Sequence, residues 1–179
     1  NASPVEGLNL VVAYTRTESQ EVSGMPGSNA TSAWNGLYTI NGPNNATVMR
    51  SQYVIPDRII ASVGYDLHET THLNLFYTCY SPYGYSYYMT NDMNGDGIST
   101  DLIYIPKDEN DIIFSVYNAA QDAKDFWAFV NQDSYLKNHK GEYAEAYGAR
   151  APFVHRFDFR IAQDIKFRIG KTNHKIELS

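Results

Sequence analysis

RFDFRIAQDIKFRIG, residues 156–170, decides the fold. From Phe157 the odd positions carry Phe157, Phe159, Ile161, Gln163, Ile165, Phe167 and Ile169, while the even ones carry Arg156, Asp158, Arg160, Ala162, Asp164, Lys166 and Arg168. Successive side chains of a β-strand point to opposite faces, so this period of two builds one apolar and one charged face. The pattern outlasts the about 5–6 residues of an ordinary globular strand, and such length suits the tilted wall of a barrel.

The same alternation recurs on both sides of that stretch. Leu8, Leu10, Val12 and Tyr14 share a face in GLNLVVAYT; Ile59, Ala61, Val63, Tyr65 and Leu67 share one in DRIIASVGYDL; Leu73, Leu75, Tyr77 and Cys79 share one in THLNLFYTCY. NHKIELS opposes Ile176 and Leu178 to Lys175 and Glu177. The expectation is five strands, near 7–19, 57–67, 72–81, 153–168 and 173–179. HETTH and IGKTN are the short connections, whereas 20–56 and 82–152 are long, polar and rich in Gly, Asn, Ser and Pro. Short turns on one side and long loops on the other are the habit of outer-membrane barrels, whose long loops lie outside the cell. The fold class expected over 1–179 is therefore all-β: an antiparallel transmembrane β-barrel segment with long extracellular loops. One loop holds a short helix in AAQDAKDFWAFVNQDSYLKNHKG, with Ala123, Phe126, Trp127 and Val130 at helical spacing and Gly141 at the C-cap position.

Composition narrows the function classes. The 179 residues include 15 Tyr, aromatics reach 14% and charged residues only 19%, which suits sheets with one wet and one greasy face. A net charge of −6 argues against nucleic acid, whose phosphates need a basic patch. The charge is uneven: between residues 91 and 149, 11 Asp and Glu face 4 Lys, while basic residues gather from Arg150 onward. The single Cys79 forms no internal disulfide and leaves the redox compartment open. No apolar run is long enough for a transmembrane helix, a test that leaves a β-barrel untouched. The chain begins at NASPVEG and stops within a strand pattern, as a fragment would.

Two motifs point to metals. In NDMNGDGIST, residues 91–100, Asp92, Asn94 and Asp96 take the first three oxygen-ligand positions of an EF-hand-like loop. Gly97 permits the sharp turn and Ile98 offers its carbonyl. Position 12 is Ile103, which cannot ligate, so Asp101 is the substitute at two residues' distance and the closing geometry must differ. The hard cation for such a set is calcium; the alternative is an Asx-rich turn leading into LIYIP. HETTH, residues 68–72, matches the zinc-protease pattern H-E-x-x-H, which needs a helix to stack its two imidazoles, but strand alternation on both sides makes it a hairpin turn. No nucleophile stands at a recognisable spacing from His155, and no enzyme is expected. Arg156, Asp158, Arg160, Asp164 and Lys166 form a charged row for a barrel lumen, where opposite charges pair. The tyrosines of YSPYGYSYYMT (Tyr80, Tyr83, Tyr85, Tyr87, Tyr88) suit an interfacial aromatic girdle.

GARAPFVHRFDFRIAQDIKFRIGKTNHKIELS, with DMNGDGISTDLIYIP and the long loops, resembles the C-terminal β-barrel of TonB-dependent outer-membrane receptors of the Bacteroides group. The branch it is most similar to carries an N-terminal carboxypeptidase-regulatory-like domain. The likeness runs from Arg58 onward and is most specific from Tyr147 to Ser179; before Arg58 it rests on pattern alone. It implies a 22-stranded barrel in the bacterial outer membrane, plugged from its N-terminal side and importing a scarce large solute with energy from the TonB complex. It further implies as partners the rest of the barrel, the plug that meets TonB, outer-membrane lipid and a surface lipoprotein. The charged row would face the lumen and Phe157, Phe159, Ile161 and Ile165 the lipid. The rival expectation is a secreted, soluble, calcium-binding β-rich interaction module.

Overall fold

In the structure, a computed structural model that describes residue 2, residues 5–114 and residues 117–179, the alternating segments become one antiparallel sheet. Its strands are β1 (Leu8–Arg16), β2 (Asp57–His68), β3 (Thr71–Tyr80), β4 (Val154–Ile169) and β5 (Thr172–Leu178), paired in chain order as an up-and-down meander. Strands make up 41% of the chain and helices 17%, so the protein is mainly β with antiparallel sheets, and the five-stranded sheet does not close on itself. β1 stops at Arg16 rather than at 19; Thr17 instead donates its N–H to the Pro56 carbonyl. At the other edge of β1, Ala2 and Leu10 exchange two backbone hydrogen bonds.

Register aligns the faces. Leu10 lies opposite Val63, Val63 opposite Leu75, Leu75 opposite Phe159, and further along Ile165 lies opposite Ile176. A slip of one residue would send every apolar side chain to the other face, and none occurs along these central pairings. The single register shift lies between Asp66 and His68, where Leu67 is the extra residue beside the turn. That bulge takes Leu67 out of the strict alternation expected for it. Two-residue turns close both hairpins, at Glu69–Thr70 and Gly170–Lys171. Gly170 has φ +58, the sign that the first residue of a II′ turn requires.

Among the described residues the sheet buries only Cys79 and Ala162 of its apolar side chains. The buried apolar cluster, including Leu37, Met49, Leu102, Ile105, Val130 and Leu136, comes entirely from the second compact unit, Glu18–Val54 and Tyr83–Ala151. On the sheet, Phe157 is 67% exposed, Ile161 53% and Val63 39%. Each strand pairs with its neighbours, yet among the described residues of the sheet unit nothing covers the apolar face that the pairing assembles.

The second unit is built from two long connections. Helix α1 (Ala30–Asn35) starts in a capping box: the Asn29 side chain accepts from the Ser32 N–H while the Ser32 hydroxyl oxygen accepts from the Asn29 N–H. Helix α2 (Ala119–Gln132) buries Val130 and packs Phe126 and Trp127 against the cluster. It ends nine residues before Gly141, which corrects the expected C-cap. The cause is Asp133, whose carboxylate accepts from the N–H groups of Tyr135 and Leu136 and so starts a new 3-10 turn at Leu136–Asn138. Gly141, at φ +86, instead turns the chain so that its N–H reaches the Ile105 carbonyl at 2.7 Å.

The tyrosine run meets this unit through aromatic contacts. Tyr85, Tyr87 and Tyr88 make ring contacts within this unit, Tyr88 with Tyr38 at 4.8 Å and Tyr87 with Tyr85, Phe129 and Tyr135, while Tyr85 and Tyr88 stay exposed. The Tyr87 hydroxyl donates to Asp133 at 2.8 Å, a hydrogen bond that a half-buried phenol needs. Desolvation first, then its hydroxyl and carboxylate neighbours, push its pKa far upward. Burial likewise pushes Tyr147 up to about 12. Tyr147 adopts φ +54, a left-handed conformation costly for a residue with a Cβ, and its ring meets Tyr38 edge-on.

Candidate functional site

Residues 92–101 form a loop whose polar side chains turn back on its own backbone. The Asp92 carboxylate accepts from the N–H groups of Gly95, Asp96 and Gly97, at 2.7, 3.1 and 2.8 Å. These donors hold its pKa below the usual carboxylate range, the Gly97 N–H contributing most. Asn94 accepts from the Asp96 N–H and Asp96 from the Ile98 N–H. The left-handed Gly95 and Gly97, at φ +80 and +85, supply the tight backbone that lets one carboxylate collect so many amides. Asp101, buried, accepts from the Met93 N–H at 2.6 Å and from the Asn94 side-chain amide at 2.9 Å, which closes the loop from its far end.

This loop fastens the two long connections together. Asn94 donates to the Ile40 carbonyl, the Thr100 hydroxyl to the Leu37 carbonyl at 2.7 Å, and the Leu102 N–H to the Thr39 carbonyl at 2.9 Å. Asp101 also pairs with Met89 in a short ladder. As donor chemistry, three carboxylates and a side-chain amide within ten positions, with no Lys or Arg bonded to them among the described residues, fit a hard cation. As geometry, the carboxylate oxygens face backbone amides, and no three His, Cys, Asp or Glu side chains among the described residues converge as a metal group. Ile98 serves here as the N–H donor to Asp96.

The even-numbered face of β4 carries the second candidate set. Arg156 pairs with Asp158 at 2.8 Å along the strand, Arg160 with Glu177 at 2.5 Å, and Lys166 with Glu69 at 3.5 Å. Asp164 is only 5% exposed and receives Lys175 at 2.6 Å and the His72 Nε2 at 3.3 Å, while the His72 Nδ1 meets Asp66. Glu69, His72, Lys175 and Asp66 were not among the expected residues of this row. The register of two hairpins brings them there, and only the even spacing of Lys175 and Glu177 signalled it. One carboxylate oxygen of Asp164, Oδ1, is buried with no hydrogen-bond partner among the described residues.

HETTH is a strand end, a turn and a strand start. His68 lies opposite Thr71 and His72 opposite Asp66, so the imidazoles do not stack as on a helix. His72 is committed to two carboxylates. No family model, curated protein or solved structure matches this chain. Chemistry and geometry therefore carry the functional reading.

Proposed function

We propose that this chain supplies wall strands and outward loops of an outer-membrane import channel of the TonB-dependent receptor type. One observation supports the reading above all: a long-stranded sheet with an aligned apolar face left open, while the loops keep a core of their own. In water such a face is an aggregation hazard, because contiguous exposed apolar patches on soluble proteins seldom exceed a few hundred Å². Against lipid it is the normal outer surface of a barrel wall. The 13 residues from Phe157 to Ile169 reach about 43 Å at ~3.3 Å each, or about 30 Å along the membrane normal at a tilt of ~45°. That matches the hydrocarbon thickness of about 30 Å. The opposite face, laced with ion pairs, then lines the lumen.

In this reading the remaining barrel strands pair with the outer edges of β1 and β5, and a plug elsewhere in the receptor meets the TonB complex. The long loops fall outside the cell, where a surface lipoprotein would meet them. The channel imports a scarce, large solute and carries out no catalysis. Calcium would be held by side-chain oxygens of Asp92, Asn94, Asp96 and Asp101 with the Ile98 carbonyl, and would supply a charge cross-link between the two connections. Chelation is then expected to raise amide exchange across 92–102 and 37–40; unchanged exchange together with no bound calcium removes the ion from the account.

The rival reading, a secreted calcium-binding module, draws on the loop unit having its own core. It requires the apolar sheet face to be covered in water. Detergent separates the two: the channel reading expects the protein to stay dispersed only with detergent or lipid, and a monodisperse, detergent-free protein contradicts it.

A further inference from the structure

The loop unit contains a pocket of about 340 Å³ formed wholly by its own residues, between 38–50 of the first connection and 143–146 of the second. Its volume lies at the small end of ligand sites, room for about eleven waters at ~30 Å³ each. Its lining includes the apolar Ile40, Val48, Met49 and Leu102 and the amide-bearing Gln20, Asn41 and Asn45. Arg50 and Glu145 stand on the lining as an ion pair at 3.6 Å, each side chain about half exposed. Among the described residues neither group makes a hydrogen bond beyond that loose contact, so a guanidinium fork and a carboxylate are both available to a ligand.

We propose that this pocket binds a short peptide with free termini. The peptide carboxylate takes the planar fork of Arg50, a bidentate match that a point charge does not offer. The ammonium takes Glu145, an apolar side chain covers Val48 and Ile40, and the peptide amide meets the side-chain amides. A strongly anionic ligand is disfavoured, because Glu145 offsets Arg50 at the same wall. A hydroxyl-rich sugar would leave the Ile40, Val48 and Met49 surface against polar groups. The proposal goes beyond the channel reading and stands without it, since every lining residue belongs to the loop unit.

Calorimetry on the full chain in detergent, with the tripeptide Ala-Leu-Ala as probe, tests this. Binding is expected, weaker by about tenfold or more when the peptide is acetylated and amidated, and weaker by about tenfold in Arg50→Gln and in Glu145→Gln. Both positions are half exposed, and an unchanged thermal melt verifies that the variants fold. Equal binding of the blocked peptide, preference for maltotriose over the tripeptide, or no heat up to about 10 mM peptide overturns the proposal. The blocked-peptide comparison uses the unaltered protein, so it decides even where a variant misfolds.

Discussion

At the scale of single residues, Asp101 and Asp92 do different work in one loop. Asp101 is buried and satisfies two donors, the Met93 N–H and the Asn94 amide. Asp101→Ala leaves both without a partner, and a donor stranded in that way costs about 1–3 kcal/mol. Hydrogen exchange is expected to accelerate at 92–102 and at 37–40 while the sheet stays unchanged; loss of protection confined to 92–96 would contradict the cross-link. Asp92 is exposed, and its effect is read through pH. Its folded pKa lies below the ordinary 3.8, so its contribution is present above that value and fades as pH falls through the folded one. Tyr147 runs the other way. Its pKa is raised from 10.0 to about 12, so its contribution is whole below pH 10 and is lost as pH rises through 12. Melting of the loop unit is therefore expected to drop between those limits, and Tyr147→Phe to flatten the drop.

Elements were legible in the sequence in proportion to how far a simple period ran. The β4 alternation persists from Phe157 to Ile169, and its partners repeat the same period. Apart from α2, whose helical spacing was legible, the loop unit follows no period: its strands are two residues long and its packing comes from side chains scattered over 37–149. The partners of Tyr87 and Tyr88 were not legible, because sequence shows neither Asp133 nor Tyr38 beside them. α1 was missed because six residues hold too little periodicity, although Asn29 and Ser32 stand at capping spacing. Within the candidate loop the ligand-type residues were legible by spacing, but their engagement with backbone amides was not. Two substitutions probe the elements. Leu136 is 1% exposed in the core, and Leu136→Ala is expected to cost the loop unit about 2–5 kcal/mol in a denaturant melt. At Gly170 a Cβ would meet open space, so Gly170→Ala tests the backbone alone and is expected to cost the β4–β5 hairpin about 1–2 kcal/mol, seen as faster exchange there. A neutral result would mean that the turn does not depend on its positive φ.

For the whole molecule the central claim is a division of labour between two surfaces of one sheet. Pairing places Leu10, Val63, Leu75, Phe159 and their neighbours on one side and Arg156, Asp158, Arg160, Asp164 and Lys166 on the other. In the proposed channel the apolar side meets lipid and the charged side meets water and counter-charges, a pair of demands that a barrel wall satisfies together. The most direct measurement places single cysteines at 156 through 161, in a Cys79→Ala background, each carrying a polarity-sensitive fluorophore in reconstituted vesicles. The account predicts blue-shifted emission quenched by lipid-borne quenchers at Phe157, Phe159 and Ile161, alternating with quenching by aqueous ions at Arg156, Asp158 and Arg160. Uniform aqueous quenching at all six positions, or uniform shielding from both quenchers, would contradict it.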